Sequence, residues 1–213
     1  MCEIIIIRHG NSLSNVDGTF TGQIDAPLSE VGIAQAKIAC NYLLENYKVD
    51  KIYSSDLSRA IDTVKPLAEK LNLEILTDSS LREMYGGEWE GLKMSEIAIK
   101  FSEDYSVWQN NVGFSRCTGG ESYAEVCKRA KLAIEKIAFE NSDKCVVVST
   151  HGGFIRGLEC AIKGVPLENM AEIPYVANAS ISIIKVKDGK LIYEKSNIND
   201  YLGVLQTQMP KGI

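Results

Sequence analysis

Ile4, Ile5, Ile6 and Ile7 form an unbroken apolar, β-branched run near the start of the chain. With no polar residue alternating among them, they predict a strand buried on both faces, at the centre of a parallel sheet. Cys145 to Ser149 (CVVVS) is a second run of the same kind, and Lys51–Ser54 and Leu73–Leu76 are shorter strand-like stretches. Between them the spacing turns helical. After Ser29, a candidate N-cap, Ala36, Ala39, Cys40, Leu43, Leu44 and Tyr47 mark one buried helix face. Leu57, Ala60, Ile61, Val64, Leu67, Ala68 and Leu71 form a second stripe, capped by Ser55 or Asp56. Pro66 inside that stripe is expected to kink the helix or end its first part.

Between Leu81 and Asn141 the pattern is mostly helical, with short helices over Met94–Phe101 and Glu103–Trp108. Ser122-x-x-Glu125 is a capping box that opens a long helix. Its apolar face is Tyr123, Val126, Cys127, Ala130, Ile134, Ile137 and Ala138, which leaves Lys128, Arg129 and Lys131 to solvent. A helix over Phe154–Lys163 follows the second strand run. A hairpin of Ile181–Val186 and Leu191–Lys195 then turns at Asp188-Gly189. Alternating strands and helices imply βαβ units with right-handed crossovers. The expected fold is therefore one α/β domain over 1–213: a mostly parallel sheet with an antiparallel edge and helices on both faces. A helical insertion at about 84–141 is expected to cap the active site.

Composition narrows the function. The chain is 45% hydrophobic and 24% charged with a net charge of −5, which argues against nucleic acid as partner, since its binders carry a basic excess or stripe. The six cysteines show no C-x-x-C spacing and there are two histidines, so no zinc site is expected. Arg8 interrupts the first apolar run and no stretch is long enough to span a bilayer. A reduced cytoplasmic protein with no membrane partner is the expectation.

Both histidines follow a buried strand run, in Arg8-His9-Gly10 and in Thr150-His151-Gly152-Gly153. Ligands of open α/β sheets lie beyond the carboxyl ends of the strands. If the two strands are parallel in one sheet, both imidazoles emerge at the same edge. A histidine beside glycine often does no more than occupy a turn, but two of them in a chain with no third favour a shared site. Arg8 and Arg59 supply guanidinium forks that match phosphate or carboxylate oxygens. An imidazole held among cations is pushed towards its neutral, nucleophilic form. His151, just before a helix start, can donate to an anionic oxygen. Phosphoryl transfer asks mainly for such positioning and charge stabilisation. Glu83 is the best-placed carboxylate to protonate a leaving alcohol, although a surface ion pair with Arg82 would explain it equally.

Arg8-His9-Gly10-Asn11-Ser12-Leu13-Ser14-Asn15 resembles the R-H-G-x-[ST]-x-x-N signature of the histidine phosphatase superfamily, which includes cofactor-dependent phosphoglycerate mutases. The resemblance continues through Phe20–Ser29, Tyr53–Ala60, Leu81-Arg82-Glu83 with Gly87–Gly91, Gly119–Ser122 and Ser149–Gly153. It implies His9 as the phosphorylated nucleophile. Arg8, Arg59 and His151 would bind the phosphoryl oxygens with help from Asn15, Glu83 would donate the proton, and Thr21 and Gly22 would line the entrance. No cofactor and no metal are implied.

The chain also departs from the mutases of that family. It has Glu83-Met84-Tyr85-Gly86-Gly87 in place of E-R-H-Y-G and no arginine pair in the insertion, which offers Lys93, Lys100 and Arg116 instead. Trp108, Phe114, Tyr85 and Trp89 are candidates for an aromatic pocket. The expectation is a metal-independent phosphatase acting on small phosphorylated metabolites through phosphohistidine. A phosphoglycerate-type mutase and a non-catalytic phospho-ligand binding module are the alternatives. The substrate, and whether the chain forms a homodimer, stay open.

Overall fold

The computed structural model describes residues 2–207; residue 1 and residues 208–213, the ends of the expected domain, lie outside the described residues. The first isoleucine run forms β1 (Glu3–Arg8), and β2 (Lys51–Ser54), β3 (Ile75–Thr77) and β4 (Cys145–Thr150) lie parallel to one another and to it. The hairpin β5 (Ile181–Lys187) and β6 (Lys190–Ile198) adds an antiparallel edge, giving the order β3-β2-β4-β1-β5-β6. At its turn Asp188 and Gly189 both have positive φ, 50° and 72°, the conformation a two-residue type I′ hairpin requires.

Pleating explains why the first strand tolerates no polar residue. Ile4 and Ile6 enter one core with Val146, Val148 and Phe154, whereas Ile5 and Ile7 enter the other with Leu43, Val64, Leu67 and Val147. All four isoleucines are completely buried. The second core is covered by α2 (Glu30–Asn46) and α3 (Ser58–Leu71). The first is covered by α6 (Tyr123–Glu140) and α7 (Gly152–Lys163).

Several local expectations are corrected. Of the two outcomes expected at Pro66, an end is excluded, because the helix α3 runs on to Leu71. Its start is capped by neither Ser55 nor Asp56. Asp25 Oδ1 reaches from a distant loop to accept from the Ser58 amide at 2.8 Å and the Ser58 hydroxyl at 2.7 Å, while Asp56 forms a bidentate pair with Arg82. The long helix α6 does not stand over the site as part of a cap. Ala130, Ile134, Ile137 and Ala138 pack it onto the sheet, and Tyr123, Val126 and Cys127 near its start join the third core. That core unites Met84, Trp89, Ile97, Trp108, Cys117 and Tyr123, with the short helices α4 (Met94–Lys100) and α5 (Ser102–Asn110) around it. The covering segment thus ends near Ser122, where the capping box opens α6.

Candidate active site

Register brings the two histidines together. β1 and β4 pair Ile7 with Ser149 and Arg8 with Thr150, so each histidine is the first residue past the same sheet edge. Their ring centroids are 5.2 Å apart. A cavity of about 170 Å³ opens beyond that edge, lined by Arg8, His9, Asn15, Thr21, Gly22, Arg59 and Glu83 among others. Of the residues expected at the site, His151 alone is absent from its wall; it is completely buried beside His9, with Nε2 2.8 Å from Ser55 Oγ. Its Nδ1 has no protein partner among the described residues.

The hydrogen bonds of His9 settle its tautomer. Nδ1 lies 2.7 Å from the carbonyl of Gly10, which can only accept. Nδ1 therefore carries the proton and Nε2 keeps its lone pair. Burial, then the charges of Arg59 and Arg8, hold the imidazole pKa well below its ordinary 6.5. His151 is lowered for the same reasons, burial first. The backbone of His9 is also fixed: its amide donates to Thr150 O at 2.9 Å, and its carbonyl accepts from the Ala179 amide at 3.2 Å.

Both arginines are nearly inaccessible, at 5% exposure for Arg8 and 1% for Arg59. Arg8 Nη1 donates to Val176 O at 2.7 Å. Arg59 donates to Ile24 O and Gly22 O, each at 2.8 Å, clamping the 20–25 loop over the site. That clamp shares its work with Glu90, whose Oε1 accepts from the Gln23 and Gly86 amides. Gly22 sits at φ +51°, and a Cβ there would fall 2.2 Å from Glu90 Oε1, so a larger residue would strain the backbone and push the Glu90 carboxylate off its amide donors. Burial lowers the pKa of both guanidinium groups, and the Glu83 charge opposes this; guanidinium remains protonated regardless.

Glu83 lies at the start of α7. Oε1 accepts from the Met84 amide at 2.9 Å and the Phe154 amide at 3.1 Å, and Oε2 accepts from the Gly153 amide at 3.1 Å. Each carboxylate oxygen has two acceptor positions, so Oε2 is the one left able to carry a proton. Gly153 is required for this approach, because a Cβ there would sit 2.5 Å from Oε1. Asn15, on the short helix α1 (Leu13–Asp17), completes a capping box with Ser12. Thr21 Oγ1 lies near its own loop, 3.4 Å from Thr19 O.

Three contributors escaped the sequence reading. Asn178, 3% exposed, donates to His9 O at 3.2 Å and to Asn15 Oδ1 at 3.1 Å. Its one signal is a lone amide in the apolar stretch Val176–Ile181. Arg129, expected in solvent, instead binds Glu121 twice and donates to the carbonyls of Ser80, Arg82 and Glu83. Tyr175 lines the cavity and bonds the Tyr123 hydroxyl. Of the expected aromatics Trp108 lines the cavity and Trp89 is buried in the core above it, whereas Tyr85 and Phe114 are exposed outside it. Lys93, Lys100 and Arg116 are also outside the lining. Cys117 is fully buried with Sγ 3.7 Å from Met84 Sδ, and burial pushes its thiol far up in pKa. Among the described residues no helix is long and apolar enough to cross a membrane.

The family model described as histidine phosphatase superfamily (branch 1) matches residues 4–199. Phosphoserine phosphatase 1 of Hydrogenobacter thermophilus is 33% identical over 213 residues, covering 100% of both chains. The metal-independent phosphoserine phosphatase of Arabidopsis thaliana is 33% identical over 196 residues, 90% of this chain and 79% of the relative. The solved structure of Bacillus stearothermophilus YhfR superposes with a TM-score of 0.90 at 27% identity, over 95% of this chain and 100% of that one.

Proposed function

The chain belongs to the histidine phosphatase superfamily, branch 1, and from that premise we propose that it hydrolyses small phosphomonoesters without a metal ion, through phosphohistidine on His9. The observation that carries the reading is the bond from His9 Nδ1 to the Gly10 carbonyl, which leaves the Nε2 lone pair in a cavity walled by two arginines. In the first step Nε2 attacks phosphorus and the ester P–O bond breaks. The electron pair leaves on the alkoxide, which takes a proton from Glu83 Oε2. In the second step water attacks phosphorus and gives its proton to Glu83. The P–N bond breaks, phosphate departs and the Nε2 lone pair is restored.

Arg8 and Arg59 are placed to hold the phosphoryl oxygens and their growing charge. His151 lies beside the nucleophile with ring centroids 5.2 Å apart, and its Nδ1, which has no protein partner among the described residues, is the atom that would donate to a phosphoryl oxygen. Asn15 and Asn178 keep the His9 turn in place, and Thr21 and Gly22 border the entrance. Small phosphorylated metabolites as substrates accord with the relatives named above.

The test is to trap the intermediate. Wild type should form an acid-labile, base-stable adduct on His9, and His9→Ala should lose both adduct and turnover. Near-normal turnover in His9→Ala, or phosphate trapped on serine or cysteine, would refute the mechanism. A mutase would return the phosphoryl group to a carboxylate-bearing acceptor, yet Arg8 and Arg59 are the lining cations among the described residues. Incubation with 3-phosphoglycerate and a bisphosphoglycerate primer separates the two. Rapid 2-phosphoglycerate formation with little free phosphate would favour the mutase.

A further inference from the structure

Resting on that phosphatase reading, we infer that the preferred substrate is a phosphomonoester whose alcohol carries an uncharged aromatic or apolar group and no carboxylate. The cavity lining divides by chemistry. Arg8, Arg59, His9 and Glu83 gather at the sheet edge, and Phe20, Met84, Met94, Trp108 and Tyr175 make up an apolar wall. That wall is held rigid from behind. Phe20 meets Trp89 and Trp108 edge to face at 5.7 and 5.8 Å, and the Tyr175 hydroxyl is bonded to that of Tyr123 at 2.5 Å. Aromatic faces and thioether sulfurs favour a flat or apolar partner.

Charge decides against the alternative. A phosphoryl dianion matches the two arginines, and the Glu83 carboxylate adds a negative charge beside it. A further carboxylate on the alcohol would enter the same small cavity, where the lining cations among the described residues are the two arginines already engaged by the phosphoryl group. The cations of the covering segment do not help: Arg116 is paired with Glu125 at 2.9 Å, and Lys93 and Lys100 are exposed and lie outside the lining. Ser14, Thr19 and Thr21 offer hydroxyls at the cavity but no charge.

The test compares two primary alkyl esters, 2-phenylethyl phosphate and O-phosphoserine, by phosphate release, so that leaving-group reactivity stays similar. The expected kcat/KM favours the phenylethyl ester by about tenfold or more, the discrimination apolar pockets typically give. Met94→Lys, which places a cation in the wall, should shift the ratio towards phosphoserine by about tenfold, the return of one new ion pair in a partly enclosed site. Equal or higher kcat/KM for phosphoserine in wild type would overturn the inference while leaving the phosphatase reading intact. A ratio unmoved by Met94→Lys in a protein of unchanged melting temperature would also overturn it. No phosphate released from either ester or from p-nitrophenyl phosphate would overturn both.

Discussion

Arg129→Met removes a guanidinium that never touches the cavity, yet it should slow one class of substrate. Nη1 donates to the carbonyls of Ser80 at 2.9 Å and Arg82 at 2.8 Å, and Nη2 to that of Glu83 at 3.3 Å. The same group binds Glu121 at 2.7 and 2.9 Å, and Glu121 Oε2 accepts from the Tyr85 amide at 2.8 Å. One ion pair thus pins the backbone on both sides of Glu83. Methionine keeps the apolar stem and loses five hydrogen bonds. Each charge-assisted bond is worth about 1.5–3 kcal/mol in isolation, but they are not additive. Both partners are also 21% exposed, so water takes over part of the loss. A stability decrease of about 2–3 kcal/mol is expected, a large share of a typical domain's margin. The Glu83 carboxylate keeps its own three amide donors, so it should drift and not leave. A drift of about 1 Å costs up to roughly 100-fold in rate, and a kcat loss of about 10–100-fold on alkyl esters follows. KM should change little, because Arg8 and Arg59 have no bond to Arg129. In burst measurements an aryl ester, whose leaving group needs no proton, should lose far less than an alkyl ester. Urea unfolding gives the stability term, and Lys128→Met is the neighbouring exposed control. Equal losses on both ester types, or a rise in KM at constant kcat, would refute the positioning role.

Glu83→Gln should slow alkyl esters by about 10²–10⁴-fold in the phosphorylation step and aryl esters far less; equal burst losses would remove Glu83 as leaving-group acid. The amide also turns an NH₂ towards either the Gly153 amide or the Met84 and Phe154 amides, so its melting temperature must be measured alongside. Cys117→Ser should stay active, because the thiol is buried against Met84; loss of the trapped adduct would contradict this. Activity should survive EDTA, and loss restored by zinc or magnesium would show the site misread. Stability should fall as pH drops below about 6.5, the ordinary histidine value. The unfolded chain binds protons on His9 and His151 there while the folded chain does not. Each histidine contributes at most about 1.4 kcal/mol per pH unit. Urea titrations of His9→Asn should show a flatter slope between pH 6.5 and 5, and an unchanged slope would refute the buried neutral imidazole.

The strand runs were legible because a strand buried on both faces has no room for polar side chains, which leaves an unmistakable apolar run. From Ile4–Ile7 and Cys145–Ser149 came the parallel centre of the sheet, and with it the placing of His9 and His151 at one edge. Asp188-Gly189 was equally readable, since few residue pairs accept positive φ twice. Pro66 does not end its helix because α3 is held by packing of Val64, Leu67 and Ala68 on the sheet, which outweighs the loss of one backbone bond. The cap of α3 was unreadable for another reason. Asp25 lies 33 residues from Ser58, and a cap supplied across space leaves no local pattern.

By itself the sequence determined what short-range physics encodes: which segments are strands, which helix faces are buried, and which reactive residues end the central strands. Only the tertiary structure decided how charged and polar side chains are spent. Arg129 looks like any solvent-facing cation beside Lys128 until the fold brings the 80–83 carbonyls and Glu121 to it. Asn178 is an unremarked amide until β5 is laid beside β1 and its two N–H bonds meet His9 O and Asn15 Oδ1. Both histidines end a strand run in the sequence, but only the packing set their rings 5.2 Å apart, with His9 on the cavity wall and His151 fully buried beside it. Apolar burial is a property of a residue and its near neighbours, whereas a hydrogen bond or ion pair exists only once chain closure has supplied the partner, and that partner can come from anywhere in the sequence.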